Sequence, residues 1–217
     1  MSGRAYEQYD VIADQYARAF PNGFESRPFD RAILRSFAEL AVRSGGTRAL
    51  DVGCGPGQAA AELASCGLRT EGVDGSAAMI ALARQYAPRV RFQTADMFDL
   101  PFEAGTFGAV CAWYSIIHTP AEVLPRLFTE YRRVLADPGW LLLGFQTEGE
   151  TAVYDQAFGR DVTLTFLRHD TATVCDALER SGFTVYATTK RARQAQLDEP
   201  TAQAMVIAHT HSVNNQP

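Results

Sequence analysis

Lysine is almost missing from this chain: of its 20 basic residues only Lys190 is a lysine. Together with the abundant alanine, that bias reads as the coding habit of a GC-rich genome rather than as chemistry. The arginines are scattered, with "YRR" and "KRAR" as the densest groups, and the net charge is −5. A nucleic-acid surface needs clustered cations, so no nucleic-acid partner is expected. Long hydrophobic runs are also missing. Nothing approaches the roughly 18 apolar residues of a membrane span, and the opening "MSGRAYEQYD" lacks the apolar stretch of a signal peptide. The expectation is a cytoplasmic protein with no membrane partner. Only four cysteines occur, at 54, 66, 111 and 175. Their spacing suits neither a metal site nor a disulfide framework, and in a reducing compartment they read as small buried hydrophobes. No metal is expected, and no repeat or low-complexity tract is found.

What is present is a chain of 217 residues, 47% hydrophobic, enough for one globular domain with a sizeable core. "YDVIADQYARAF" puts Tyr9, Ile12, Ala13, Tyr16 and Phe20 on one helical face, and "PNG" breaks it. "RPFDRAILRSFAELAVRSGG" predicts a second helix, Pro28 near its start and Gly45 beyond its end. From there strands and helices alternate. The strands are "TRALDVG", "LRTEGVD", "VRFQTAD", "FGAVCAWYS" and "GWLLLGFQ"; the helices between them include "SAAMIALARQY", burying Met79, Leu82, Ala83 and Tyr86. "TPAE" at 119–122 has the form of a capping box. Pro125 predicts a single turn there, with the longer helix of Leu127, Phe128 and Tyr131 restarting near it. "TATVCDALERSGF" is a helix closed by Gly182, and "FTVYATTK" and "TAQAMVIAHTH" are two last strands with no helix between them. The expected fold is α/β: a Rossmann-like, mostly parallel seven-stranded sheet with helices on both faces and its last strand antiparallel. Residues 1–45 form an N-terminal helical lid, and 147–169, which fit no sheet element, are an insertion near the acceptor side.

"ALDVGCGPGQ" ends a buried strand in a turn stripped of side chains, which lets a ligand approach the backbone. A tight turn with no ligand remains a possible reading. Gly55, Gly57 and Ala60 match part of the dinucleotide fingerprint, but its first glycine falls two residues late and Pro56 removes an N–H that a pyrophosphate would use. Asp51 at the strand end would repel a pyrophosphate and suits an ammonium. Asp74 ends the next strand and can accept two ribose hydroxyls, or cap a helix. Asp96 ends the third and can accept from an adenine amine, or serve as a turn residue. Three acids at three successive strand ends, beside a glycine turn, describe a ligand with a cation, a ribose and an adenine but no phosphate. S-adenosylmethionine (SAM) is such a molecule.

"LDVGCGPG", "GVDGSAAMIALAR", "TADMFDLPF" and "WYSIIHTP" together resemble a class I SAM-dependent methyltransferase of the small-molecule, type 11-like branch. The resemblance spans residues 9–146 strongly and the last third weakly. It implies SAM as cofactor and S-adenosylhomocysteine (SAH) as product. It implies Asp51, Gly53 and Gly55 at the methionine end, Asp74 and Gly75 at the ribose, and Asp96 with Met97 around the adenine. "YDVIADQY" resembles the family's covering helix, which makes Tyr9 and Tyr16 candidates; a plain amphipathic face is favoured for Tyr9. Trp113, Tyr114 and His118 then lie near the methyl, with Tyr114 and His118 as catalytic candidates. Gln146 ends the fifth strand and can face the acceptor. Arg168 and His169 in the insertion are expected at the solvated surface. The acceptor is expected to be a small organic molecule, and the chain a monomer or homodimer. A nicotinamide-dependent oxidoreductase and a non-catalytic SAM-binding regulatory protein stay as alternatives.

Overall fold

A computed structural model describes residues 5–19 and 23–210. The expected apolar position Phe20 and most of the "PNG" break lie outside them. Two helices open the chain: α1 (Ala5–Ala19) and α2 (Pro28–Arg43). Pro28 sits in the first turn of α2, where its missing N–H costs nothing. Then come β1 (Arg48–Val52), α3 (Gln58–Ser65), β2 (Arg69–Asp74), α4 (Ala77–Tyr86), β3 (Arg91–Thr94) and β4 (Phe107–Trp113). After two short 3-10 turns follow α5 (Leu124–Val134), β5 (Leu135–Thr147), β6 (Ala152–Ala157), β7 (Arg160–Phe166), α6 (Thr171–Arg180), β8 (Thr184–Arg191) and β9 (Ala202–His209).

Seven strands form one sheet in the order β3-β2-β1-β4-β5-β9-β8. The first five are parallel, and β9 runs antiparallel between β5 and β8. The expected sheet and its antiparallel last strand are borne out. The order switches direction between β1 and β4, so the carboxyl ends of those strands open a crevice. The central strands are covered on both faces. Leu50, Val110, Leu141 and Leu143 pack with Leu127, Phe128 and Tyr131 of α5 on one side. Ala49, Ala109 and Leu142 pack with Leu34 and Phe37 of α2 on the other. Strands buried on both faces read as continuous apolar runs, which is why "FGAVCAW" and "GWLLLGF" stood out.

Three local expectations fail. The stretch 147–169 contains a hairpin, β6 with β7, that forms a sheet of its own. Its strands hide in the sequence because β6 is largely exposed and β7 alternates, burying only Val162 and Leu164. "TPAE" forms no capping box: no side chain caps either turn, and Thr119 is buried at the end of the Ile116–His118 turn. The single turn before Pro125 does form, as Ala121–Val123, with the proline in the first turn of α5. Tyr86 is 46% exposed; Ile80 takes its place in the core beside Met79 and Ala83. Cys54 and Cys111 are buried, whereas Cys66 and Cys175 are half-buried, and all four are free thiols.

Candidate active site

A cavity of about 1200 Å³ lies over the carboxyl ends of β1, β2 and β4. Its floor is the glycine turn. Gly53 has φ +69°, and a Cβ there would stand 2.3 Å from the Ser115 Cβ, so no other residue fits. Gly55, φ +51°, is different: a Cβ there would meet nothing within 4 Å. Its missing side chain serves the left-handed backbone and leaves open space lining the cavity. The N–H groups of Gly53 and Cys54 both donate to Val73 O, at 2.8 and 2.9 Å, which ties the turn to β2.

Asp51 is 1% exposed, and neither carboxylate oxygen has a hydrogen-bond partner. Burial pushes its pKa up to about 7, and the nearby Asp74 adds to the rise. A carboxylate left bare in a cavity wall is ready for a cation. Asp74 accepts from Gly55 N–H and Ser76 N–H, each at 2.8 Å, and burial holds its pKa above the usual carboxylate range. Two backbone bonds leave lone pairs on both of its oxygens. Asp96 behaves as a turn aspartate, accepting from Phe98 N–H at 2.9 Å, and it also lines the cavity with Met97. Gly75 lies under α1: a Cβ there would meet the Tyr6 ring at 2.9 Å.

The roof comes from α1 and the β6–β7 hairpin. Asp10 accepts from Ser76 Oγ at 2.6 Å and from Ala78 N–H at 3.0 Å, clamping α1 to the start of α4. Gln8 accepts from Thr163 N–H, and Ile12 is buried with Val162 and Leu164. Tyr9 is more than a face residue. Its hydroxyl lies 2.9 Å from His118 Nε2, while His118 Nδ1 lies 2.6 Å from Thr165 O. A carbonyl only accepts, so Nδ1 carries the proton and Nε2 takes the Tyr9 O–H. Burial lowers the His118 pKa, the Thr165 carbonyl opposing in part, so the ring is neutral near pH 7. Tyr16 lines the cavity edge-on to Tyr9 and Phe158, and desolvation raises both phenols.

Trp113 lines the cavity and also packs edge-on with Phe24 and Tyr114. Tyr114 takes φ +57°, an unusual backbone for a non-glycine residue, and burial raises its hydroxyl pKa. The surface expectation for Arg168 and His169 is wrong. His169 is 4% exposed, with Nε2 3.1 Å from Ile116 O, and Arg168 reaches the cavity, where it donates to Gln146 Oε1. Backbone bonds from Leu167 to Ile117 and from His169 to Gln146 hold the segment inward. Sequence reasoning also missed Asp10, Gln203, and the buried ion cluster of Asp30, Arg191 and Glu199 at the far end of the cavity. Nothing in the local sequence signals those three, since they meet only through the fold. Among the described residues no His, Cys, Asp or Glu cluster could hold a metal, and no helix is long and apolar enough to cross a membrane.

A family model described as a methyltransferase domain matches residues 49–139. That stretch holds the glycine turn and all three strand-end acids. Residues 49–139 are thus similar to a methyltransferase domain, and the whole sheet has the Rossmann-like fold of SAM-dependent methyltransferases. The chain is 30% identical to the sterol 24-C-methyltransferase ERG6B of Gibberella zeae over 165 residues, which cover 69% of this chain and 42% of that protein. It thus spans about two-fifths of the length of the first curated relatives it matches. Its fold resembles the magnesium protoporphyrin IX methyltransferase ChlM from Synechocystis PCC 6803 with bound SAM: TM-score 0.66, 21% identity, 91% of this chain and 90% of that one covered. It also resembles the [4+2]-cyclase SpnF, with TM-score 0.73, 18% identity and 97% of each chain covered. The second likeness shows that this methyltransferase fold does not by itself name a reaction.

Proposed function

We propose that this chain transfers a methyl group from SAM to an oxygen, nitrogen or carbon atom of a small organic acceptor. The observation that carries the reading is Asp51: a bare, buried carboxylate beside a side-chain-free turn, with Asp74 bound to that same turn. These residues fit the cofactor. Asp51 would meet its ammonium, Asp74 its ribose hydroxyls, and Asp96 with Met97 its adenine. When bound, the cofactor supplies a methyl group already activated by sulfonium. The chain therefore has to align the acceptor and exclude water. The roof does the excluding, through Ile12, Tyr9 and the hairpin.

An acceptor that keeps a proton needs a base. His118 is neutral and poised, but its free lone pair already holds the Tyr9 hydroxyl. The acceptor's proton would pass to the Tyr9 oxygen while the Tyr9 proton moves to His118 Nε2. A nicotinamide cofactor is disfavoured by Asp51, whose charge would face a pyrophosphate. The direct test is incubation with methyl-labelled SAM and fractionated metabolites. Label in a small-molecule fraction, with matching SAH, supports the reading. SAH binding without turnover on any fraction would favour a regulatory protein instead.

A further inference from the structure

Arg168 lines the cavity just beyond β7, and its surroundings differ from those of Arg191. Asp30 and Glu199 are both bound to Arg191, at distances of 2.6–3.2 Å. Arg168 takes part in none of the ion pairs among the described residues. It reaches the cavity, donates from Nη1 to Gln146 Oε1, and leaves Nε buried with no hydrogen-bond partner.

Its placement is built into the backbone. Leu167 N–H donates to Ile117 O at 2.7 Å, and His169 N–H donates to Gln146 O at 3.1 Å. The residues on both sides of Arg168 are thus pinned, one to the 3-10 turn and one to the end of β5. The His169 ring is pinned as well, to Ile116 O. Arg168 is therefore presented on a fixed backbone, next to Gln146 and to Gln203, which faces Gln146 across β5 and β9. Beside it the wall is aromatic: Tyr154 and Phe166 meet edge-on with centroids 5.5 Å apart. A half-buried guanidinium with an unmet donor has been desolvated without the gain of an ion pair, and a planar two-oxygen anion matches its fork.

Building on the methyltransferase reading, we propose that the acceptor carries a carboxylate on a largely apolar body, and that Arg168, held by Gln146, selects it. The body lies against Tyr154 and Phe166. The nucleophile is a second group of the same molecule, set by the distance from Arg168 to the floor.

The test uses SAH-loaded full-length protein and a library of aryl and alkyl carboxylates, each paired with its own primary amide. Binding is read by ligand-observed NMR on wild type, Arg168→Gln and Arg168→Lys, after SAH affinity has been measured for each. SAH should bind all three alike, because Arg168 is not part of the floor. Carboxylates should bind wild type about tenfold more tightly than their amides. The gap should close in Arg168→Gln and partly return in Arg168→Lys, which keeps the charge but not the fork. A wild type with no carboxylate preference in any pair overturns the proposal, as does a preference that survives Arg168→Gln. Failure of wild type to bind SAH is a different result: it overturns the methyltransferase reading itself.

Discussion

The floor and the roof of the cavity are built on opposite principles. The floor is a turn between buried strands, tied to β2 by two backbone bonds and backed by core on both sheet faces. The roof is one helix and a separate two-stranded hairpin, held by three buried side chains and a handful of polar bonds. A floor of that kind cannot adapt, and in the proposed reading its acids recognise groups that any SAM molecule carries. A roof of that kind opens at little cost, and in the proposed reading its Tyr9 and Phe166 meet whatever lies beyond the methyl. Elements with few buried contacts are where opening motions concentrate.

The largest effect should come from breaking the floor. Gly53→Ala places a Cβ against Ser115 at positive φ and is expected to cost about 2–4 kcal/mol in denaturant unfolding, with SAH binding lost. Asp51 should act in the other direction. Its raised pKa means that folding takes up a proton between about pH 4 and 7, so the ligand-free protein loses stability as pH rises through that window. Asp51→Asn should then stabilise the ligand-free protein by about 1–3 kcal/mol at pH 8, with the gain gone near pH 4, while SAH affinity falls. Thermal melts with and without SAH across pH check both halves.

Roof changes should be smaller and more selective. His118→Gln and Tyr9→Phe should each lower kcat about 10–100-fold and leave the SAH dissociation constant within about twofold. The wild-type rate should fall as pH drops below the histidine's lowered pKa, and that acid limb should vanish in His118→Gln. Smallest is the clamp: Asp10→Ala removes a cap on α4 worth about 1 kcal/mol. Hydrogen exchange in α1 should speed up, and SAH should slow it less than in wild type. A roof as rigid as the floor would show no such response.

The sequence told these two halves apart in how well they could be read. The floor was legible because its chemistry is local: "LDVGCGPG" holds the strand, the turn and Asp51 within one segment, and Asp74 and Asp96 end their own strands. The roof was not. Tyr9 looked like a helix-face residue because its partner, His118, is 109 positions away. The hairpin was hidden because short, exposed strands lack the apolar runs that marked the sheet. Arg168 and His169 looked like surface residues because nothing nearby in the chain shows that β5 and the 3-10 turn hold them inward. The capping box at "TPAE" misled for the reverse reason. The local pattern was right, but Pro120 and Pro125 left the helix to start one turn later.

In the proposed function the floor binds SAM through Asp74 and Asp51 without help from a phosphate site. Calorimetry with SAH and with NAD, at pH 8 on wild type and Asp74→Ala, tests it most directly. Wild type should bind SAH and give no heat with NAD, and Asp74→Ala should lose about ten- to hundredfold in SAH affinity. An unchanged SAH dissociation constant in that variant, or NAD binding in the same cavity, would contradict it.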